Sequence, residues 1–376
     1  MADLVIHAGM PKTGSSAVQR WLKSNLDAIA ANGFQVRRRP RGLDEATCLD
    51  EVTRPGSHIG VKSYVDDLLG NAQEQRALLD DLHALPGTAL LTSEALNNLF
   101  HRDAVWLSAL NDYAAIHDVR VAYYVRPQHD AMEASWRQWG FRRPMRPSVY
   151  LERREGRRLD FLSTLMRVRE CAPNVSFEMR GFRRDLLVGG DIVVDFADTF
   201  LGMHAEPVPS VNEGLPLFIC VLIQARGASP LWESHHENAT LRRVQEIVSR
   251  WDMPEPEDIQ ESLLVLQRHC RSRYEDDNRK LISLLNWPTE DYVPPTKEAG
   301  DDRLSRLDVL WRPRPEGHLL RQALADIIAT SDTRDARQSR PSSDRAGERV
   351  TLRSKLRTAT RHGAKALRRS RGKPSA

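Results

Sequence analysis

The feature that most constrains the fold is a strand, a glycine-bounded loop and a helix in direct succession near the start of the chain. Residues 4–8 form a short apolar run, and residues 9–14 form a loop that begins and ends with glycine. Residues 15–31 carry apolar side chains at helical spacing, at Val18, Trp21, Leu22, Leu26 and Ile29. An apolar strand that leads into an amphipathic helix is typical of α/β folds, whose parallel strands are buried on both faces.

The alternation of strand and helix signals continues through the first half of the chain. Short β-type runs recur at residues 34–37, 88–92, 119–125 and 175–179, with helical patterns between them. We therefore predict an α/β fold with a central, mainly parallel sheet. After Asp191 the strand signals fade, and helices are predicted at residues 192–201, 215–225, 241–251 and 259–285. These helices form a predicted helical C-terminal extension that caps the sheet.

Composition and charge divide the 376-residue chain into three segments. With 40% hydrophobic residues the chain can bury a core, and we assign residues 1–290 to an α/β domain with a helical cap and residues 291–330 to a connector and helix. Residues 331–376 contain fourteen Arg and Lys against four Asp and Glu and are poor in large apolar residues, which predicts a basic, disordered tail. A solvated tail is favoured, and weak contact with an anionic membrane surface or a polyanionic substrate is the alternative.

Cysteine usage and hydropathy predict a cytoplasmic protein. The four cysteines lie far apart without a Cys-x-x-Cys pair, which argues against a disulfide framework or a structural zinc site. They are Cys48, Cys171, Cys220 and Cys270. The N-terminus lacks the basic and apolar regions of a signal peptide. The longest apolar run, residues 215–223, is less than half of the roughly 20 residues that a membrane helix needs.

The loop at residues 9–16, with the sequence GMPKTGSS, is the strongest chemical signal. Because it follows a buried strand and opens a helix, its backbone N–H groups and the helix N-terminus can hold an anion. Its glycines keep the spacing of the nucleotide-binding patterns GxxxxGKS and GxxxxGKT, but Ser15 replaces the lysine, which is found at Lys12 instead. In nucleotide triphosphatases that lysine reaches the β- and γ-phosphates beside Mg²⁺, so its displacement argues against ATP or GTP hydrolysis.

A longer stretch around this loop resembles the 5′-phosphosulfate-binding loop of the sulfotransferases that use 3′-phosphoadenosine 5′-phosphosulfate (PAPS): residues 7–19 read HAGMPKTGSSAVQ. The bacterial carbohydrate-type members are the most similar. The resemblance implies a P-loop-type three-layer fold, PAPS as the co-substrate and no metal. It implies that Lys12 neutralises the bridging oxygen as it leaves. The implied ligands of PAPS in the loop are Pro11, Lys12, Thr13, Gly14, Ser15 and Ser16. A generic strand–helix turn is the alternative.

A second predicted contact lies where the run at residues 119–125 ends in Arg126 and leads into a helix. A guanidinium there can bind a phosphate bidentately, and the resemblance implies that Arg126 and Ser135 hold the 3′-phosphate of PAPS. The family's arginine and serine are usually eight residues apart. Here they are nine apart, a rotation of about 100° on a helix. A surface arginine and a plain helix serine are the alternatives. Nearby positive charge, either solvated or binding an acidic acceptor, comes from Arg137, Arg142 and Arg143.

Glu94 is the predicted catalytic base. The apolar run at residues 88–92 delivers it to the edge where open α/β sheets place their ligands, and an acceptor hydroxyl must lose its proton as it attacks sulfur. Related carbohydrate sulfotransferases have a glutamate in a similar Ser-Glu context. The alternative is a helix N-cap at Ser93, with Glu94 favoured by the helix dipole. The other candidate bases are His7, which more readily orients the loop, and His129 and Asp130, which fit a first helical turn.

Later segments also resemble the bacterial members, so the resemblance spans about residues 3–287. They include residues 179–202, 211–213 and 273–278. Arg180, in the first of these segments, is predicted either to contact substrate or nucleotide or to form a salt bridge at the edge of the interior.

Together these features predict a single-displacement transfer of a sulfuryl group from PAPS to a hydroxyl group, without a metal. The acceptor is expected to be a carbohydrate or glycoconjugate in a pocket shaped by loops at residues 38–58 and 141–158, and no nucleic-acid partner is expected. The sequence leaves open whether it is a glycan, a lipid-linked sugar or a small alcohol. A P-loop kinase that uses ATP and Mg²⁺ is one alternative, which the displaced lysine opposes. A catalytically silent relative that binds adenosine 3′,5′-bisphosphate (PAP) or a protein partner is the other.

Overall fold

The computed structural model describes residues 3–10, 12–36, 68–138, 140–142, 145–155, 159–208, 217, 220–221, 257–287 and 302–311. Several predicted features lie outside these residues: Pro11, Arg143, the side chain of Arg142, the loop 38–58, most of the helix 215–225, the helix 241–251 and the tail 331–376. What the sequence predicts for them stays a prediction.

Five strands within the described residues form one sheet. They are β1 (Leu4–His7), β2 (Phe34–Val36), β3 (Thr88–Thr92), β4 (Val119–Val125) and β5 (Ser176–Gly181). Their order across the sheet is β2-β3-β1-β4-β5, and each neighbouring pair is parallel. The predicted α/β fold is confirmed, and each predicted strand is found with ends shifted by no more than two residues.

The central strands are apolar on both faces. All residues of β1 and β3 are buried, and in β4, with the sequence VRVAYYV, only Arg120 is half-buried. A strand that lies between two helical layers has no solvated face, so it reads as a continuous apolar run and not as an alternating one. This is why the strand signals in the sequence were strong.

The helices of the described residues have the following bounds: α1 (Ser15–Ser24), α2 (Leu26–Ala31), α3 (Ala72–His83), α4 (Asn97–Arg102), α5 (Ala104–Ala114), α6 (Gln128–Gln138), α7 (Pro147–Glu155), α8 (Phe161–Cys171), α9 (Ile192–Phe196) and α10 (Glu257–Leu285). Short 3₁₀ segments occur at Glu94–Leu96, Gly140–Arg142, Val188–Gly190 and Leu304–Trp311. The predicted helix 259–285 is confirmed, since it lies within α10.

Two predicted helices differ from the structure. The single helix expected over residues 15–31 is wrong, because the chain breaks at Asn25 into α1 and α2. The Asn25 side chain donates to the carbonyl of Trp21 at 2.8 Å, a local bond of the kind that competes with helix continuation. The helix expected over residues 192–201 begins as α9 and ends in a π turn at Ala197–Leu201.

Helices cover both faces of the sheet, and consecutive residues of β4 point to opposite faces. On one face Tyr124 belongs to a core that also contains Val18 of α1, Ile29 of α2 and Phe196 of α9. On the other face the Tyr123 ring lies 6.1 Å from the Phe100 ring of α4 and 5.2 Å from the Phe177 ring of β5, measured between centroids. The sheet is therefore sandwiched between helical layers.

The chain divides into two compact units. The first unit contains the whole sheet and comprises residues 1–136, 149–213 and 263–304. The second comprises residues 137–148, 214–262 and 305–376, and within it the Ser148 N–H donates to Asp308 at 3.1 Å. Among the helices that the structure describes, none has the length and apolar character needed to cross a membrane.

The strand order places the loop after β1 at a reversal of the chain's path. β1 lies between β3 and β4; the chain leaves β1 towards β2 on one side, and it leaves β4 towards β5 on the other. Open α/β sheets bind their ligands at such a reversal, outside the carboxyl ends of the strands. The loop that is predicted to hold an anion therefore lies where this architecture places a ligand.

Candidate anion-binding site

The loop after β1 runs alongside β4 before it turns into α1. The N–H of Ala8 donates to the carbonyl of Ala122 at 3.0 Å, and the N–H of Met10 donates to that of Tyr124 at 2.9 Å. At the turn, the N–H and the hydroxyl of Thr13 both donate to the Met10 carbonyl, at 3.3 and 2.6 Å. Because Thr13 is fully buried, its hydroxyl shapes the loop, and its predicted contact with PAPS stays a prediction.

Two residues of the loop have a left-handed backbone. The φ angle is 75° at both Lys12 and Gly14. A Cβ added to Gly14 would lie 2.9 Å from Ile192 Cγ2 and 3.0 Å from Phe182 Cε2, so glycine is required here for both conformation and space. Lysine rarely adopts a positive φ, so the loop holds Lys12 in a strained backbone conformation.

The N-terminus of α1 provides donors for an anion. The helix begins after Gly14, and no side chain caps it among the described residues. The first N–H groups of a helix have no partner within it and carry partial positive charge. Here the N–H of Ala17 already donates to the Gly14 carbonyl at 2.8 Å, which leaves the N–H groups of Ser15 and Ser16 for an anion. Ser15, the first helical residue, is 1% exposed, and its Oγ has no hydrogen-bond partner in the described part of the chain. This set of donors, with half-buried Ser16 next to it, can donate to the oxygens of an anion.

Arg126 follows β4 directly and contacts the loop. Its Nη1 donates to the carbonyl oxygen of Lys12 at 3.4 Å, and its Nε lies 3.8 Å from Asp130 Oδ2. Its guanidinium carbon lies 6.0 Å from the centroid of the Phe182 ring. The structure thus brings the guanidinium of Arg126 to the backbone of Lys12, a residue 114 positions away in the sequence.

The side chain of Ser135, on α6, is hydrogen-bonded to a residue of α7. Its Oγ lies 2.9 Å from the hydroxyl of Tyr150, and that hydroxyl also donates to the Ser135 carbonyl at 3.1 Å. The residue eight positions after Arg126 is Ala134, which has no hydroxyl. A contact of Ser135 with the 3′-phosphate therefore stays a prediction.

Glu94 begins the 3₁₀ segment after β3 and is half-buried. The N–H of Ser93 donates to the carbonyl of His7 at 3.1 Å, which extends the pairing of β1 and β3 to the edge of the sheet. Glu94 and the anion-binding loop therefore leave neighbouring strands at the same edge. Both interpretations of Glu94, as a base and as the start of a helical turn, fit this position.

Two of the three alternative bases, His7 and His129, are weak ones. Burial lowers the pKa of His7 to about 3, so its imidazole is neutral near pH 7 and binds a proton poorly. Burial, together with the charges of Arg126 and Arg183, also lowers the pKa of His129, against the opposing effect of Asp130. The Asp130 carboxylate lies 3.4 Å from His129 Nε2 and 3.8 Å from Arg126 Nε.

The pKa of His7 predicts a loss of stability in mild acid. Because the folded-state pKa of about 3 lies below the ordinary value of 6.5, the unfolded state binds the proton more tightly, and stability falls as pH falls through this window. Between pH 6.5 and pH 5, His7 should lower the free energy of unfolding by about 2 kcal/mol. Urea unfolding of wild type and His7→Gln over this range measures it. A difference between the two proteins that does not change with pH would contradict the prediction.

Arg180 forms a salt bridge, the second of its two predicted roles. Its Nε and Nη2 donate to the carboxylate of Asp195 at 2.8 and 2.5 Å. This carboxylate is fully buried and also accepts the Tyr124 hydroxyl at 2.6 Å and the Val188 N–H at 2.8 Å. Burial, and then the charge of Asp195, raises the pKa of Tyr124, which therefore stays protonated and donates. The network ties β4, β5 and α9 together beside the loop.

Comparison of the chain with protein-family models, curated proteins and solved structures gave no match. Within the described ranges, no group of three or more His, Cys, Asp and Glu side chains is arranged to hold a metal ion. A function for this chain is therefore inferred from the residues of the loop and of the sheet edge.

The sequence predicted no role for three residues that support the site. Phe182 packs beside Gly14 and Arg126, Thr92 bonds to His7, and Asp195 holds Arg180. Only Asp195 had a usable signal: an acid on the apolar stripe of α9 needs a buried partner.

Proposed function

We propose that this chain is a P-loop-type sulfotransferase that transfers a sulfuryl group from PAPS to a hydroxyl group of a carbohydrate or glycoconjugate. One observation carries the proposal most strongly. Within the described residues, the helix N-terminus after the Lys12 loop has no side-chain cap, and the buried Ser15 hydroxyl has no hydrogen-bond partner. Arg126 donates to the backbone of the same loop. Such an array of donors favours a ligand with more than one anionic group.

The loop residues would hold the 5′-phosphosulfate. The N–H groups at the start of α1 and the hydroxyls of Ser15 and Ser16 would donate to its oxygens, and Gly14 lets the backbone approach closely. The ammonium group of Lys12 would neutralise charge on the bridging oxygen. Pro11 and Thr13 would complete the loop.

Arg126 would bind the 3′-phosphate. Its guanidinium sits at a strand end, 3.4 Å from the Lys12 carbonyl, so that both ends of one nucleotide could be held from neighbouring positions. The pairing with Asp130 at 3.8 Å is loose enough to be exchanged for a phosphate, which offers a bidentate acceptor. Ser135 is retained as a further ligand of this phosphate.

In the reaction, Glu94 would take the proton of the acceptor hydroxyl as its oxygen attacks sulfur. The new O–S bond would form as the bond between sulfur and the bridging phosphate oxygen breaks, and PAP would leave with the electron pair of that bond. Lys12 and the helix N-terminus stabilise the charge on this leaving group. This displacement requires no metal, and positioning and preorganised charge supply the rate enhancement.

The proposal extends to the setting of the protein. We place it in the cytoplasm, where PAPS would be available, with no nucleic-acid partner. The basic tail, residues 331–376, would make at most weak contact with an anionic membrane surface.

Calorimetric titration with PAP, and separately with ATP and Mg²⁺, tests the cofactor directly. We expect PAP to bind at least 10-fold more tightly, because the nucleotide carries a 3′-phosphate for Arg126 and the loop lacks a lysine placed for a γ-phosphate. Tighter binding of ATP with Mg²⁺ would replace the proposal with the kinase alternative.

Transfer from labelled PAPS to a panel of sugars and glycoconjugates then tests catalysis. PAP binding without transfer to any acceptor would favour the catalytically silent relative. Transfer that is lost in Glu94→Gln while PAP binding is retained would support Glu94 as the base.

A further inference from the structure

The imidazole of His7 is held rigidly beneath the anion-binding loop. It is fully buried at the end of β1, and its Nδ1 lies 2.8 Å from Thr92 Oγ1, on the register partner in β3. Its ring packs against those of Tyr124 and Phe196, with centroids 5.7 and 5.0 Å away. The ring therefore has one orientation, with Nδ1 towards Thr92 and Nε2 towards the loop.

The loop side of this ring is a small polar cluster around Gly9. A Cβ built on Gly9 would lie 2.7 Å from Thr13 Oγ1, 3.2 Å from Ser15 Oγ and 3.6 Å from His7 Nε2. Glycine at this position therefore leaves room for the three polar atoms to gather. Among the described residues, two of them, His7 Nε2 and Ser15 Oγ, are buried without a hydrogen-bond partner. Two orphaned polar atoms beside one another are costly unless they are bridged.

We infer that His7 is a positioning residue of the anion site and completes a chain of donors. The Thr92 hydroxyl donates to Nδ1, the Nε2–H group donates to Ser15 Oγ through one bridging water, and the Ser15 hydroxyl donates to the bound anion. The inference rests on the proposed function, because the anion at the end of the chain is the 5′-phosphosulfate of the nucleotide.

The direction of the chain follows from the chemistry of a neutral imidazole. One ring nitrogen donates and the other accepts, and the bond that one makes decides the tautomer. If Nδ1 accepts from Thr92, each group donates towards the anion, and both His7 Nε2 and Ser15 Oγ gain a partner. The opposite tautomer would present an acceptor to Ser15 and turn its hydroxyl away from the anion. Donors aligned in one direction also polarise one another, which strengthens the last bond.

A double-mutant cycle on PAP affinity tests the chain. We expect Ser15→Ala and His7→Asn each to weaken PAP binding roughly 10-fold, since asparagine can still accept from Thr92 but does not reach Ser15. In the Ser15→Ala background, His7→Asn should cause no further loss, because the same chain is already broken. Losses that multiply in the double variant would mean that His7 supports the fold only, and would overturn the inference.

Two further measurements distinguish a donor role of His7 from a purely structural one. His7→Gln, whose amide nitrogen can take the place of Nε2, should recover most of the affinity lost in His7→Asn, and equal losses in the two variants would contradict the chain. The ¹⁵N spectrum of histidine-labelled wild type should show His7 as the Nε2–H tautomer, and the Nδ1–H tautomer would overturn the inference. If wild type does not bind PAP, the proposed function is overturned together with this inference. If wild type binds PAP but the losses of the two single variants multiply in the double variant, only this inference is overturned.

Discussion

Replacing Lys12 with alanine should lower the rate of the proposed sulfuryl transfer roughly 10²- to 10³-fold, the usual effect of removing one preorganised group that stabilises a leaving anion. The loss should fall mainly on kcat, because the charge on the bridging oxygen develops in the transition state. PAP affinity should fall by a smaller factor, roughly 10-fold. Turnover of labelled PAPS and calorimetry with PAP measure the two effects.

Lys23→Ala is the matched control, since it removes the same charge from the last turn of the same helix. It should leave both turnover and PAP affinity unchanged. An equal loss in the two variants would mean that Lys12 acts only through the overall positive charge of the protein and not through its position in the loop. Lys12→Gly adds a second control. Because φ at this position is 75°, the glycine variant should be about 1 kcal/mol more stable than Lys12→Ala and equally inactive.

Replacing Asp195 with alanine should lower the free energy of unfolding by about 3–5 kcal/mol, the cost of leaving a half-buried guanidinium without its fully buried partner. The carboxylate accepts hydrogen bonds from Arg180, from the Tyr124 hydroxyl and from the Val188 N–H. Its loss would therefore leave several donors unsatisfied at once and loosen α9 beside the loop. Urea unfolding measures the stability, and PAP titration measures the effect on the loop.

An exposed ion pair in the same stretch of chain is the control. Arg183 and Asp185 are joined at 3.0 and 3.1 Å, in a geometry similar to that of Arg180 and Asp195, but Asp185 is 51% exposed. Asp185→Ala should cost less than about 1 kcal/mol, because solvent screens such pairs. Equal costs for Asp185→Ala and Asp195→Ala would show that burial does not set the strength of these pairs in this protein.

Local sequence patterns predicted the elements of the sheet well. The strands β1, β3 and β4 are short apolar runs bounded by polar residues or glycine, and burial on both faces makes such runs easy to recognise. The break at Asn25 was missed because the apolar spacing continues across it from Leu22 to Ile29. At the break, the Asn25 side chain donates a hydrogen bond to the Trp21 carbonyl, and such bonds cannot be recognised from apolar periodicity.

The residues of the loop that are proposed to bind an anion were also recognisable in the sequence. The glycines, Lys12 and the hydroxyl residues lie within eight consecutive positions, between a buried strand and a helix, and a helix N-terminus needs no distant partner to attract an anion. Arg126 and Glu94 follow the carboxyl ends of β4 and β3, and local sequence predicts this position too, because parallel strands present the residues that follow them at one edge.

The sequence by itself therefore determined which segments become strands, which edge carries the loop, and which residue types could bind an anion there. The tertiary structure alone decided the order β2-β3-β1-β4-β5 and the partners across it: Thr92 for His7, Tyr150 for Ser135 and Asp195 for Arg180. Hydrophobic period and backbone propensity are properties of neighbouring residues, whereas these pairs join different elements of the fold. Their choice depends on how the elements pack, and that is set by the burial of the whole core at once.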